Sequence, residues 1–268
     1  MSSTSRPDTG ILLGILISIA ALIAAIAITG ISARYFFQPA SILIVIGGTV
    51  GVMLITTPHR TLVLALRRCL GLFSATPFHN REELIDEIVS HAQAIRIRGM
   101  LAIEPDLDTV SHPFLRDAFL LALDVKSRHE LQAALESKIR TAERQSETAA
   151  KVLDVAGGLT PTLGVLGTVV GLIDVLRNFS NITAFASGVG AAFTSTFYGL
   201  ALANILLLPA ANRIRAAAAE TFELQELMME GALCLFDGLH PRQIHQRLHP
   251  FLHKAPLADE PEAHEAAA

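Results

Sequence analysis

The side chains able to do chemistry in the most apolar parts of this chain are hydroxyls. Thr194, Ser195 and Thr196 stand in a row with Tyr198 just beyond, and Thr160, Thr162 and Thr168 punctuate an earlier apolar run. A hydroxyl donates and accepts, so inside a membrane it either ties two helices together or lines a polar path for an ion. Thr168, Ser195, Thr196 and Tyr198 are the ion-path set; helix–helix hydrogen bonding is the competing use of the same groups. By the helical period of about 3.6 residues, Thr194 and Ser195 point about 200° and 100° away from Thr196, so the three do not share one role. Thr196 lies between Ala192 and Gly199 on the smallest-residue face, where another helix comes nearest.

An ion path should also show an intramembrane ionisable group, which is expensive and usually functional. The apolar spans hold Asp154 and Asp174. Asp154 falls at the cytoplasmic end of its span, and Asp174 falls near the outer end with Arg177 three residues on. Neither is mid-membrane, so a cation-binding carboxylate has to come from another chain. No hydrolytic triad, phosphate loop, HExxH or Cys/His ligand cluster is found, which leaves no enzyme reading, no metal site and no cofactor beyond a transported H+ or Na+. His240, His245, His249 and His253 read as a polar helix face rather than a metal site. Cys69 and Cys234 are too far apart in sequence, and too few, for a disulfide framework or a zinc site.

These groups need helices to hold them. The 268 residues are 51% hydrophobic and 17% charged, with a mean hydropathy of +0.46, which points to a membrane protein in contact with lipid. A net charge of -4 with scattered basic residues gives no case for nucleic acid. Ile11 to Ile31 contains no charged side chain and approaches the roughly 20 residues that cross a bilayer. It is read as an anchor, against a cleavable signal peptide, because no convincing cleavage site follows and a second apolar run does. That run, Ala40 to Thr57, carries Gly47, Gly48 and Gly51 as a flat face for close packing. Two further spans, about Val155 to Leu176 and Ala184 to Ala211, form a back-to-back hairpin. Gly164–Thr168 and Gly167–Gly171 are small-xxx-small pairs within it. Pro161 and Pro209 interrupt the backbone donors and are expected to kink their helices, which suits a moving element.

Between the span pairs, charged residues recur and apolar ones take helical spacing: Leu84, Ile88 and His91 or Ile95, then Leu115, Phe119, Ala122 and Leu123. Pro105, Asp106, Ser111, His112 and Pro113 punctuate the region, and Asp124 to Lys151 reads as one long helix entering the third span. Of 21 Lys and Arg, 19 lie in the first ten residues, in 58–151 or in 212–268. The positive-inside rule therefore puts both termini and the large loop in the cytoplasm. The expected fold is all-α and polytopic, with four transmembrane helices and a large helical cytoplasmic domain. Its parts are residues 1–58, with spans one and two; 59–151, cytoplasmic; 152–211, with spans three and four; and 212–268, a C-terminal helix with a disordered tail after Pro256.

Five segments, in order, resemble the MotA/PomA flagellar motor stator subunits of the MotA/TolQ/ExbB group. Pro39 to Thr49 resembles the family's P(A)SILIVxGGT segment, and Arg96 with Gly99 to Glu104 resembles its AR..GLLALE motif. Gly157-Gly158 to Pro161-Thr162-Leu163-Gly164, with Gly167-Thr168 to Gly171-Leu172-Ile173, resembles span three. Ala192-Phe193 to Thr196-Phe197-Tyr198-Gly199, Ala203-Asn204 and Pro209 resemble span four. Gly238, Pro241-Arg242, Ile244, Leu248 and Phe251-Leu252 resemble the closing motif. Ile97 departs from the pattern where relatives carry a second basic residue, and Asp174 departs where they carry a neutral polar one.

The resemblance implies a homo-pentamer ring in the bacterial inner membrane around a MotB/PomB-like single-span protein that supplies the ion-binding aspartate. Thr196 would face that aspartate rather than a neighbouring subunit. Ion flow, of protons or sodium, would turn the ring, and Arg96 and Glu104 would contact the rotor's switch-complex protein. Without the resemblance these two are ordinary solvated charges. An ExbB/TolQ-type energiser and a passive membrane scaffold are the alternative readings.

Overall fold

Apolar runs that are long and free of charge fold as helices because, without water, each backbone group must find a partner within its own segment. The computed structural model describes residues 9–30, 36–72, 80–177 and 182–252, and every regular element among them is helical. Ile31 at the end of the first apolar run, residues 178–181 between the last two spans, His253 and the tail after Pro256 lie outside the described residues. The chain divides into two compact units, residues 1–77 with 146–215, and residues 78–145 with 216–268.

The first unit contains α1 (Thr9–Ile28), α2 (Pro39–Thr56) and α3 (His59–Gly71). It also takes in the later part of α6 (Arg128–Arg177), all of α7 (Ile182–Ala201) and the first residues of α8 (Leu208–Phe236). Three stretches among the described residues, Pro39–Thr56, Arg128–Arg177 and Gly188–Phe236, are long and apolar enough to cross a membrane, and α1 adds the shorter apolar stretch Leu13–Ile28. Leu43, Ile55 and Leu176 are among the many large apolar side chains left on the outside, as suits a surface facing lipid or another apolar chain. The amphipathic α3 buries Ala65 with Met53, Ala149, Val152 and Ala156.

Two stretches depart from the α-ladder. Leu43–Gly47 within α2 and Leu202–Leu207 between α7 and α8 are π-helical. The second runs straight into Pro209, which has no N–H to return to the carbonyl of Ile205, so the ladder is already rearranged where the donor is missing. Pro161, by contrast, sits inside an α6 that runs unbroken from Arg128 to Arg177. Of the three glycines expected to make a packing face on α2, only Gly48 meets a neighbouring helix, 3.3 Å from Leu163 Cδ2 for a β-carbon placed there. At Gly51 the space is open.

The second unit contains α4 (Arg81–Arg98), a 3-10 helix over Met100–Thr109 and α5 (Pro113–Asp124). It continues with the start of α6, the remainder of α8, α9 (Pro241–Leu248) and a closing 3-10 turn, His249–Leu252. The stripes legible in the sequence meet here: Leu84, Ile88 and Ile95 pack in one core with Leu115, Phe119 and Ala122, joined by Leu131, Leu135, Leu227 and Ile244. Side-chain caps set the helix starts. Asn80 accepts from the Glu82 N–H, and His112 Nδ1 accepts from the Phe114 N–H at 3.1 Å. His240 and Gln243 form a capping box at α9. The long helix does not begin at Asp124, which closes α5; the Val125 N–H bonds back to the Leu121 carbonyl, and α6 starts at Arg128 after Ser127 accepts from the Glu130 N–H.

Candidate functional site

The α6–α7 hairpin is closed by small residues. A β-carbon at Gly164 would lie 3.0 Å from Ser195 O, one at Gly167 would lie 2.7 Å from Ser195 Cβ, and one at Gly171 would lie 2.8 Å from Ala192 N. Glycine is what permits this approach of two backbones. At its centre Thr168 and Thr196 hydrogen-bond to each other. Thr168 Oγ1 also lies 3.1 Å from the Gly164 carbonyl and 3.1 Å from the Ala192 carbonyl. Either hydroxyl can be the donor between the two threonines, and the single Thr168 proton can serve only one of its three acceptors at a time. Both residues are half-buried.

The other predicted path residues fall differently. Thr194 and Ser195 are buried and donate back to the Gly190 and Ala191 carbonyls, at 2.8 and 3.2 Å. Tyr198 donates its hydroxyl to the Phe36 carbonyl, beside an edge-on Phe36–Phe197 ring pair. The structure therefore brings Thr168 and Thr196 together and leaves Ser195 in a bond within its own helix and Tyr198 in a separate bond to the Phe36 carbonyl.

A second hydroxyl pair escaped the sequence reading. Thr49 of α2 and Thr160 of α6 lie 3.3 Å apart, and each also reaches the carbonyl four residues before it. Ser41 donates to the Ala191 carbonyl at 3.1 Å, tying α2 to α7. The signal for both was faint, since hydroxyls in apolar runs announce a need for partners without saying which.

At one end of the hairpin, Arg215 reaches Glu147 through Nε at 3.0 Å and through Nη2 at 3.1 Å, and it also bonds Asp154. Residues 147 and 154 are one heptad apart and so share a face of α6. Hydrogen bonds from Asp154 first, then Glu147, hold the Arg215 guanidinium above its usual range. Asp154, read from sequence as an end-of-span acid, is thus committed to an ion pair.

In the second unit, Arg96 and Glu104 are both exposed, one in the last turn of α4 and the other in the 3-10 helix. They do not pair with each other. Gly99, at φ +78°, turns the chain between them.

Residues 106–226 match the MotA/TolQ/ExbB proton channel family. The chain is 31% identical over 245 residues to the "Motility protein A" of Bacillus subtilis (strain 168), with 91% of each chain covered. It belongs to this family, as a MotA-type stator subunit. Two solved assemblies share its fold: the C. jejuni MotAB structure has a TM-score of 0.85 at 25% identity, covering 94% of this chain and 99% of that one. The Bacillus subtilis flagellar MotAB stator complex has a TM-score of 0.83 at 31% identity, covering 90% and 94%. Within a MotA-type subunit the Thr168–Thr196 pair, held where glycines let two spans meet, is the best-formed polar feature of the apolar hairpin.

Proposed function

We propose that this stator subunit assembles with a MotB-like single-span partner to form a path for protons or sodium ions, and that ion flow is converted into torque on the rotor. The observation that carries the reading is the Thr168–Thr196 pair in a hairpin whose acids, Asp154 and Asp174, stand at its ends. Hydroxyls solvate a moving cation but do not bind it strongly, so the partner supplies the carboxylate and this chain supplies the polar seam. Four spans with both termini in the cytoplasm of a bacterial inner membrane follow from the basic residues outside the spans.

Five copies around the partner dimer make the ring. Arg96 and Glu104 form the contact with the rotor's switch-complex protein, and Pro161 and Pro209 lie where the spans must flex. Complementation tests the reading: co-expressed with a neighbouring-gene partner that carries an early transmembrane Asp, the chain restores swimming to a stator-less strain, and collapsing the ion gradient stops it. A chain that inserts and assembles yet restores nothing would sink it. A three-span map by cysteine accessibility would favour the energiser instead.

A further inference from the structure

We propose that the rotor contact of this chain is anchored by two apolar side chains, Ile97 and Leu101, and that the surface it meets is an apolar patch edged by carboxylates. This rests on the stator reading. Ile97 is 76% exposed and Leu101 70%, against 41% for Leu120, the next large apolar side chain exposed in that unit among the described residues.

The chain's own geometry puts them outside. Ile95 is in the core, and a residue two further along a helix points about 200° away, so Ile97 is turned outward. Gly99 then ends α4 in a left-handed conformation that other residues rarely adopt. The Ala102 N–H bonds back to the Gly99 carbonyl at 3.0 Å, which sets Leu101 in a tight turn beside the end of α4.

The flanking charges are uncommitted. Arg96, Arg98 and Glu104 make no side-chain hydrogen bond or ion pair among the described residues, whereas Arg81, Arg116, Arg128, Lys138 and Arg247 of the same unit are all ion-paired. Of these unpaired groups two are cations, Arg96 and Arg98, set directly on either side of Ile97, and one is a carboxylate, while Asp106 leans on His91; the side on which Ile97 emerges therefore favours an acidic partner surface. Exposed charges alone attract over a Debye length of about 8 Å at physiological salt and fade as salt rises. Apolar burial does not fade, so the pair would hold a contact that the charges only steer.

The test uses the assembled stator complex in detergent and the purified rotor switch-complex protein, with binding measured at low and high salt. Expected for the wild type is affinity that falls with salt to a persistent plateau. Ile97→Ser with Leu101→Ser should lower that plateau at least about tenfold, as loss of two buried apolar side chains demands. Arg96→Ala should flatten the salt dependence and keep the plateau.

Both variants change exposed positions, and circular dichroism should show an unaltered helical unit. A double variant that binds like wild type at high salt overturns the proposal, as does wild-type binding that vanishes there. Loss of self-association between complexes in the double variant, with rotor binding intact, would assign the patch to a second copy of the chain and equally overturn it. Swimming separates the two readings: normal swimming in the double variant removes the anchor alone, while no rescue by the wild-type chain removes the stator reading with it.

Discussion

Gly199 of α7 stands backbone to backbone with Pro161 of α6: a β-carbon at position 199 would lie 3.2 Å from Pro161 Cα and 2.9 Å from Thr160 O. Gly199→Ala would gain up to about 1 kcal/mol of helix propensity. It would lose about 1–3 kcal/mol to overpacking, because the atoms in the way are backbone and cannot rotate aside. Thermal unfolding of the purified complex should show a net loss, and Gly158→Ala, where the space is open, should show none.

The hydroxyl pair predicts non-additive effects. Thr168→Val and Thr196→Val each keep the shape and remove one half of a hydrogen bond that contributes on average about 0.6 kcal/mol in a membrane, so assembly should survive both. Each should sharply slow ion-driven rotation, and the double variant should be no slower than either single, since one seam is lost once. Thr194→Val, which deletes the bond back to the Gly190 carbonyl, should rotate normally. Equal rotation of the Thr194 and Thr196 variants in a tethered-cell assay would show that Thr196 serves packing alone.

Pro161 offers a separation of folding from motion. Because α6 runs through it without a break, Pro161→Ala restores one backbone donor and should leave the complex as stable or more stable. If span three flexes at this point, torque should stall in the same variant. Full motility with raised stability would remove Pro161 from the mechanism.

Charge reversal at Arg96 and Glu104 together should abolish or strongly reduce swimming while shifting stability little, since exposed charges contribute about 0–1 kcal/mol. Expression level and melting temperature of the complex provide the control. A reversed variant that swims at wild-type speed would show that neither residue meets the rotor.

The thiol of Cys234 is pushed up from 9.0 to about 11, by burial first and then by the nearby Glu230 carboxylate. In the unfolded chain it ionises near 9.0, so between that pH and about 11 the unfolded state gains thiolate that the folded state does not. Stability therefore falls as pH rises through this window, by up to about 1.4 kcal/mol per pH unit. Chemical denaturation at several pH values should show the slope, and Cys234→Ala should remove it. Alkylation of the native thiol should lag that of a free cysteine throughout the window.

Periodicity made the helices legible, and with them the buried stripes of α4 and α5, because burial of one face leaves a repeat that any reader of the sequence can count. The hairpin was equally legible: Gly164, Gly167 and Gly171 at small-xxx-small spacing do face α7. Partners across helices were not. That Thr160 meets Thr49, that Ser41 meets Ala191, and that Arg215 spans Glu147 and Asp154 depend on how helices are laid together, on which spacing along one helix is silent. The start of α6 at Arg128 was missed for a local reason, since Val125 and Ser127 close one helix and open the next without a Gly or Pro to mark the break.

Each π-turn holds one residue more than the α-ladder needs, so everything beyond it is rotated by about 100° relative to an uninterrupted helix. Residues 43–47 and 202–207 are therefore the two places where a relative lacking a single amino acid would keep the same hydrophobic surfaces on both sides. A one-residue gap in either segment is a conversion of π to α, not a frame error. Deleting Ile205 by design would therefore restore an α-ladder in that segment and leave Pro209 and the residues just beyond it on the faces they now occupy.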